Sequence, residues 1–250
     1  MYKKWIYPIL SFVVLIILWE ILTILYQVPI YVLPRPSQIG AALFTDWHNL
    51  FKHSLTTLLE AVIGLILAAI LAFFIAILMD LSKGLKLAFY PHLVVSQTIP
   101  VLVLGPIFTI WFGFGITPKI MMVILMCFFP IVVAFVDGLA QVDIKKITLL
   151  ETYGASKKQI YTTLKFPEAM PSFFSGLKIA ATYCVSGAIV GEWLSASSGL
   201  GYYMIRAKNS FLLDKVFASI ICIILLSLAL NAIVSLIQKQ LIKKRMIRRV

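Results

Sequence analysis

The sequence predicts an all-α, polytopic membrane protein with about six transmembrane helices and one long polar loop, as a single domain over residues 1–250. Hydrophobic residues make up 61% of the 250 and charged residues only 13%, with a mean hydropathy of +1.00. A soluble domain holds about half apolar and a quarter charged. The apolar residues gather in runs of about twenty, the length that ~30 Å of hydrocarbon demands at about 1.5 Å per residue. Basic residues collect at the chain ends and between those runs.

The first run, Trp5 to Tyr26, follows Lys3 and Lys4 and imitates a signal peptide. Its apolar stretch exceeds a signal core and no A-x-A site follows, so it reads as a retained span. The second, Leu55 to Met79, has an uncharged core from Ala61 onward. The third, Leu87 to Phe112, contains Pro91, Pro100 and Pro106; each removes a backbone donor and invites a kink, so two broken pieces are expected. The fourth runs from Ile120 to Val136, the fifth from Ser172 to Gly191, and the sixth from Val216 to Ile237.

Lysine and arginine mark cytoplasmic loops. Lys83 and Lys86 follow the second run, five lysines between Lys145 and Lys165 follow the fourth, and a basic tail ending in Arg248 and Arg249 follows the sixth. Six spans with both termini cytoplasmic satisfy this bias in a plasma or inner membrane. The net charge of +12 therefore reads as orientation signal and headgroup contact, with no basic–aromatic groove for nucleic acid. Cys127, Cys184 and Cys222 each lie alone in apolar runs and read as inert thiols. His48 and His53 fall in an expected outer loop and, with His92, are too scattered to form a metal or catalytic set.

The connection from Asp137 to about 171 interrupts the apolar pattern. Ile147, Leu150 and Tyr153 recur at helical spacing, as do Ile160 and Leu164, giving two polar helices with one narrow apolar edge each. Gly154-Ala155-Ser156 reads as the turn between them, with Ser156 capping the second helix. Pro167 is expected to stop that helix, and Pro171 to fit the first turn of the fifth span. The residues alone fit either an amphipathic linker on the headgroups or a segment that inserts into a groove on a partner.

This stretch resembles the cytoplasmic loop of importer-type ABC transporter permeases, E-A-A, three residues, Gly, nine residues, Ile-x-Leu-Pro. Gly154 takes the glycine position, Pro167 the proline, and Leu164 and Phe166 the apolar pair; Thr148, Leu149 and Leu150 replace the leading triplet, with Glu151 as the nearby acid. "PVLVLGPIFTIWFGFGITPKI" (100–120), "FFPIVVAFVDGLAQVD" (128–143) and "GEWLSASSGLGYYM" (191–204) are similar to the branch that serves nitrate, sulfonate, taurine and thiamine-precursor importers. The resemblance implies a coupling helix that docks on a cytoplasmic ATPase, with Glu151, Gly154, Ala155, Ser156 and Lys157 at the contact and Tyr153 and Ile160 as anchors. It further implies two permeases, two ATPases and an extracellular solute-binding protein.

No G-x-x-x-x-G-K-[ST] loop occurs, so ATP and Mg are expected on a separate subunit, no cofactor on this chain, and no enzyme activity. A transport path needs polar groups at membrane depth. The candidates are Ser96, Gln97 and Thr98 in the broken third span and Tyr183, Ser186 and Glu192 along the fifth. Glu192 has a competing structural reading, a bond to the following "SSGLG" turn. Glu20 and Glu60 are expected to snorkel to the outer interface. Gly187 and Gly191 form a small-xxx-small pair suited to close helix packing. A gradient-driven secondary transporter is the rival function, disfavoured by the shortage of intramembrane carboxylates and of internal repeats. "ATYCVSGAIVGEWLSASSGLG" (181–201) looks most like importers of thiamine pyrimidine precursors, with sulfonate, taurine and nitrate open.

Overall fold

The structure, a computed structural model, describes residues 3–195 and 197–247; Arg248 and Arg249 lie outside the described residues. Among the described residues every regular element is helical: α1 Lys3–Leu25, α2 Pro36–Thr45, α3 Trp47–Leu81, α4 Lys83–Ser96, α5 Val101–Phe112, α6 Ile116–Ala140, α7 Ile144–Thr152, α8 Lys157–Ile160, a π-helical turn Tyr161–Lys165, α9 Phe166–Ser195, α10 Leu200–Asn209 and α11 Leu213–Ile247. Among the described residues five runs are long and apolar enough to cross a membrane: Ile6–Leu25, Trp47–Leu81, Ile116–Ala140, Lys157–Leu194 and Leu213–Leu241. A sixth exists only as the pair α4 and α5, bent by 103°.

The third span is thus broken, as its prolines foretell, but only one proline sits at the break. Pro100 caps the start of α5, whereas Pro91 and Pro106 stay inside α4 and α5. Pro8, Pro130 and Pro171 are likewise inside helices. In an apolar medium a helix that loses one bond still satisfies the rest of its backbone, so proline bends it without ending it.

Pro167 also fails to stop its helix. The chain runs helically from Lys157 to Ser195, and the residues before the proline widen into a π turn in which Phe166 N–H donates to Tyr161 O. This i→i−5 bonding spreads the turn where the proline nitrogen has no hydrogen to give. Thr162 and Thr163 hydroxyls donate back to Lys158 O and Gln159 O. One continuous run therefore replaces the expected short helix and separate fifth span.

The helices divide into two compact units. The first runs to Thr57 and includes Ser197–Leu225. Here Trp19 meets Phe217 with ring centroids 5.7 Å apart. The Glu20 carboxylate accepts from Ser37 N at 3.0 Å and Ser37 Oγ at 2.7 Å, joining α1 to the start of α2. The expected outer loop around His48 and His53 is the first three turns of α3. His53 Nδ1 accepts from Gly199 N at 3.0 Å, and Thr57 Oγ1 from Leu200 N at 2.9 Å, so the "SSGLG" turn is capped by α3 side chains.

The second unit takes the chain from Leu58 to Ser195 and from Leu226 onward. Its centre is α6 against α9, made possible by small residues. A Cβ on Gly176 would stand 2.6 Å from Pro130 O, and one on Gly187 3.0 Å from Val123 Cα. On α3, a Cβ on Gly64 would meet Val123 Cβ at 2.4 Å. Val123 thus fits between two glycines, and Gly187 packs within the chain. Phe73 of α3 stacks on Phe135 of α6 at 5.5 Å and meets Phe166 and Phe173 edge-on.

Candidate coupling loop and transport site

The loop between α6 and α9 is built by caps. Asp143 Oδ1 accepts from Lys145 N at 2.8 Å and starts α7. At the other end Gly154 adopts φ +78°, while Ala155 N donates to Leu150 O at 3.0 Å and Gly154 N to Glu151 O at 2.9 Å. These two bonds are a Schellman close, and its left-handed residue is best a glycine. Ser156 then caps α8 reciprocally with Gln159: Gln159 N to Ser156 Oγ at 3.3 Å, Ser156 N to Gln159 Oε1 at 2.7 Å. Three residues, Gly154 to Ser156, reverse the chain.

Glu151, Tyr153, Gly154, Ser156 and Lys157 are all exposed, and Ala155 is half-buried. Tyr153 is 81% exposed. Ile160 is buried, as is Leu164. The second apolar edge therefore faces the protein's own interior, a correction to the expected outward anchor. On α7 and its C-cap the exposed apolar side chains are Ile144, Leu149 and Tyr153, while Ile147 and Leu150 are half-buried. Pro167 is half-buried in the continuous helix. An ion pair from Lys146 Nζ to Glu168 Oε1 at 2.8 Å ties α7 to α9.

At the break between α4 and α5 lies a cavity of about 340 Å³, lined by Ser96, Gln97, Ile99, Val101, Leu104, Leu125, Met126, Phe129, Pro130 and Tyr183. It brings together three of the six expected path residues, from α4, the bend and α9. Thr98 and Ser186 are not in its lining. Glu192 is elsewhere, buried at 1% exposure.

Glu192 belongs to a buried charge cluster that its isolated position in the sequence does not announce. Glu60 on α3 is 1% exposed and Lys119 on α6 is 5% exposed; Lys119 Nζ to Glu60 Oε1 is 2.7 Å. The Glu192 carboxyl lies beside that of Glu60. Glu60 therefore does not snorkel, and Lys119 is enclosed with it near the start of α6. Close approach is again through glycine, since a Cβ on Gly191 would lie 2.8 Å from Lys119 Cα. A buried ion costs several kcal/mol unless a partner answers it, so each of these charges locates the other. Three charges flanking apolar runs in so uncharged a chain were the available signal.

In the first unit, Asp46 follows α2 and receives Tyr203 Oη, Lys215 Nζ at 2.9 Å and Asn49 Nδ2 at 2.6 Å. Burial pushes its carboxyl up, but these donors and the Lys215 charge outweigh that and hold it down at about 2. Burial, with the Asp46 bond and charge, pushes the Tyr203 phenol well above its ordinary value. Around them is a polar cavity of about 280 Å³ that also touches His53, Tyr202 and Arg206.

The family described as binding-protein-dependent transport system inner membrane component matches residues 62–247. The formylaminopyrimidine transport permease protein of Halalkalibacterium halodurans is 41% identical over 222 residues, 88% of each chain. The taurine transport system permease protein of Escherichia coli is 28% identical over 238 residues, 92% of this chain and 86% of that one. Among solved structures, an amino acid ABC transporter shares the fold at 16% identity and a TM-score of 0.65, over 80% of this chain and 97% of its own.

Proposed function

The chain belongs to the family of binding-protein-dependent transport system inner membrane components, and on that premise we propose a coupling site, a substrate and a set of partners for it. It is the multi-pass membrane permease subunit of an ABC importer. Its transported solute, in our reading, is a thiamine pyrimidine precursor. ATP with Mg is bound and hydrolysed on a separate cytoplasmic ATPase, two copies of which serve two copies of this permease. An extracellular binding protein delivers the solute, and both termini are cytoplasmic.

One observation carries the coupling site: the loop exposes a polar tip held rigid by two caps. Tyr153, Glu151, Gly154, Ser156 and Lys157 form the outward surface, with Ala155 beside them. Ile160, Leu164 and Pro167 brace it from within. The helical run Lys157–Leu194 has 38 residues, about 57 Å at 1.5 Å per residue, against ~30 Å of hydrocarbon. Its first turns therefore have length to spare outside the membrane, where a soluble motor can grip.

The cavity supports the substrate. Its lining pairs Gln97, Ser96 and Tyr183 with Phe129 and Met126, and includes no charged side chain. A flat neutral ring with donors and acceptors satisfies such walls, whereas a sulfonate would leave its charge unanswered. Similarity to the formylaminopyrimidine permease points the same way. Two facing copies would enlarge the cavity into a passage, since Tyr183 and Ser186 are exposed on α9. The test is ATP-driven uptake of a radiolabelled aminopyrimidine into vesicles holding the whole transporter. Uptake competed by aminopyrimidines and not by taurine supports the reading, and the reverse order of competition removes it.

A further inference from the structure

Asp80 stands in the last turn of α3, where a helix end carries partial negative charge and an acidic residue is disfavoured. A partner must compensate, and the structure supplies two from one neighbouring segment. Lys165 Nζ lies 2.6 Å from Asp80 Oδ2, and Tyr161 donates its hydroxyl to the same oxygen. Lys165 also lies over the Tyr161 ring, 5.1 Å from its centroid. Both partners belong to the π turn, the widened stretch that joins α8 to α9. The two ionic side chains are 12% and 19% exposed, so water weakens the contact little.

Seven residues before Asp80, on the same face of α3, Phe73 packs against Phe166 and Phe173. Twenty residues before Asp80, about 30 Å along the helix, Glu60 is paired with Lys119. The helix α3 is therefore fastened at two levels about one membrane thickness apart: near Asp80 to the segment that leaves the loop, and at Glu60 to α6.

We propose that Asp80, Tyr161 and Lys165 form a clasp that positions α3 on the coupling loop, so that movement imposed on the loop is carried along α3 to the Glu60–Lys119 pair. The proposal rests on the coupling reading above, and it adds the route by which motor and spans are joined. Packing holds segments together in many geometries, but a carboxylate gripped by an ammonium and a phenol fixes one. The π turn puts both donors of the clasp at the point where the loop becomes a span.

The test uses the complete transporter in liposomes, with ATPase and binding protein, and reads solute imported per ATP hydrolysed. Asp80→Asn removes the charge at constant shape and is expected to lower that ratio about tenfold, with the ATPase still co-purifying and still turning over. Tyr161→Phe, a milder change, should lower it about threefold, and exchanging the charges as Asp80→Lys with Lys165→Asp should restore part of the loss. A ratio unchanged in both single variants, or uptake and hydrolysis falling in proportion, overturns the clasp while leaving the coupling reading intact. Failure of the unmodified chain to retain any ATPase overturns both.

Discussion

Replacing Lys119 with methionine removes the cation that answers Glu60 and leaves the Glu60 and Glu192 carboxyl groups facing each other. At an effective dielectric of about 20, opposite charges 2.7 Å apart attract by about 6 kcal/mol, and desolvation of the two ions consumes most of that. The pair itself is therefore worth little net. Breaking it is expensive, because one ion stays buried without an answer, and losses of about 3–5 kcal/mol follow in such cases. For a chain of this size that corresponds to a drop of about 6–20 °C in Tm. Thermal melting of purified Lys119→Met should fall in that range. The double variant Lys119→Met with Glu60→Gln should recover more than half of it, with a coupling energy of at least about 2 kcal/mol. A single variant melting within about 2 °C of the unmodified protein, or a double variant no better than the sum of its parts, would show that Lys119 does not answer a buried carboxylate.

Three other perturbations have defined signs. Asp46 has a folded pKa of about 2 against an ordinary 3.8; a depressed carboxylate stabilises above its unfolded pKa and loses that contribution as pH falls through the folded one. The Asp46 contribution, about 2 kcal/mol, should therefore be lost between pH 4 and roughly pH 2, so that pH-dependent melting curves of the unmodified protein and of Asp46→Asn draw together by that amount across the window. Gly154→Ala forces a side chain into φ +78° at about 1 kcal/mol, and should weaken ATPase co-purification about fivefold while leaving the Tm of the spans unchanged. Gly176→Ala drives a methyl to within 2.6 Å of Pro130 O and should cost about 1–3 kcal/mol, whereas Gly40→Ala, with open space around it, should be neutral or stabilising by denaturant titration.

Local signals in the chain were readable and long-range ones were not. Apolar runs located every span, because the bilayer imposes its thickness on sequence. The broken third span was legible from Pro100, and the Gly154–Ser156 reversal from its glycine and capping serine, since both act within a few residues. The continuous helix through Pro167 was not, because the π turn that absorbs it depends on which carbonyl each N–H reaches. Glu60 and Lys119 lie 59 residues apart, so apolar context alone sent Glu60 to the interface and gave no sign of its partner. Helices α2 and α10 escaped because each has ten residues and little apolar pattern. Ile160 had the spacing of an outward edge, but spacing gives a face and says nothing of which way it turns.

The proposed meeting of the exposed tip around Tyr153 with a cytoplasmic ATPase is open to direct crosslinking. Cys127, Cys184 and Cys222 are buried, so a Tyr153→Cys variant carries one accessible thiol among the described residues. A short bifunctional crosslinker applied to membranes holding the whole transporter should join that thiol to the ATPase subunit, with a yield that changes when ATP is added. Absence of any such product, or labelling of the same thiol by an impermeant maleimide added outside intact cells, would contradict it.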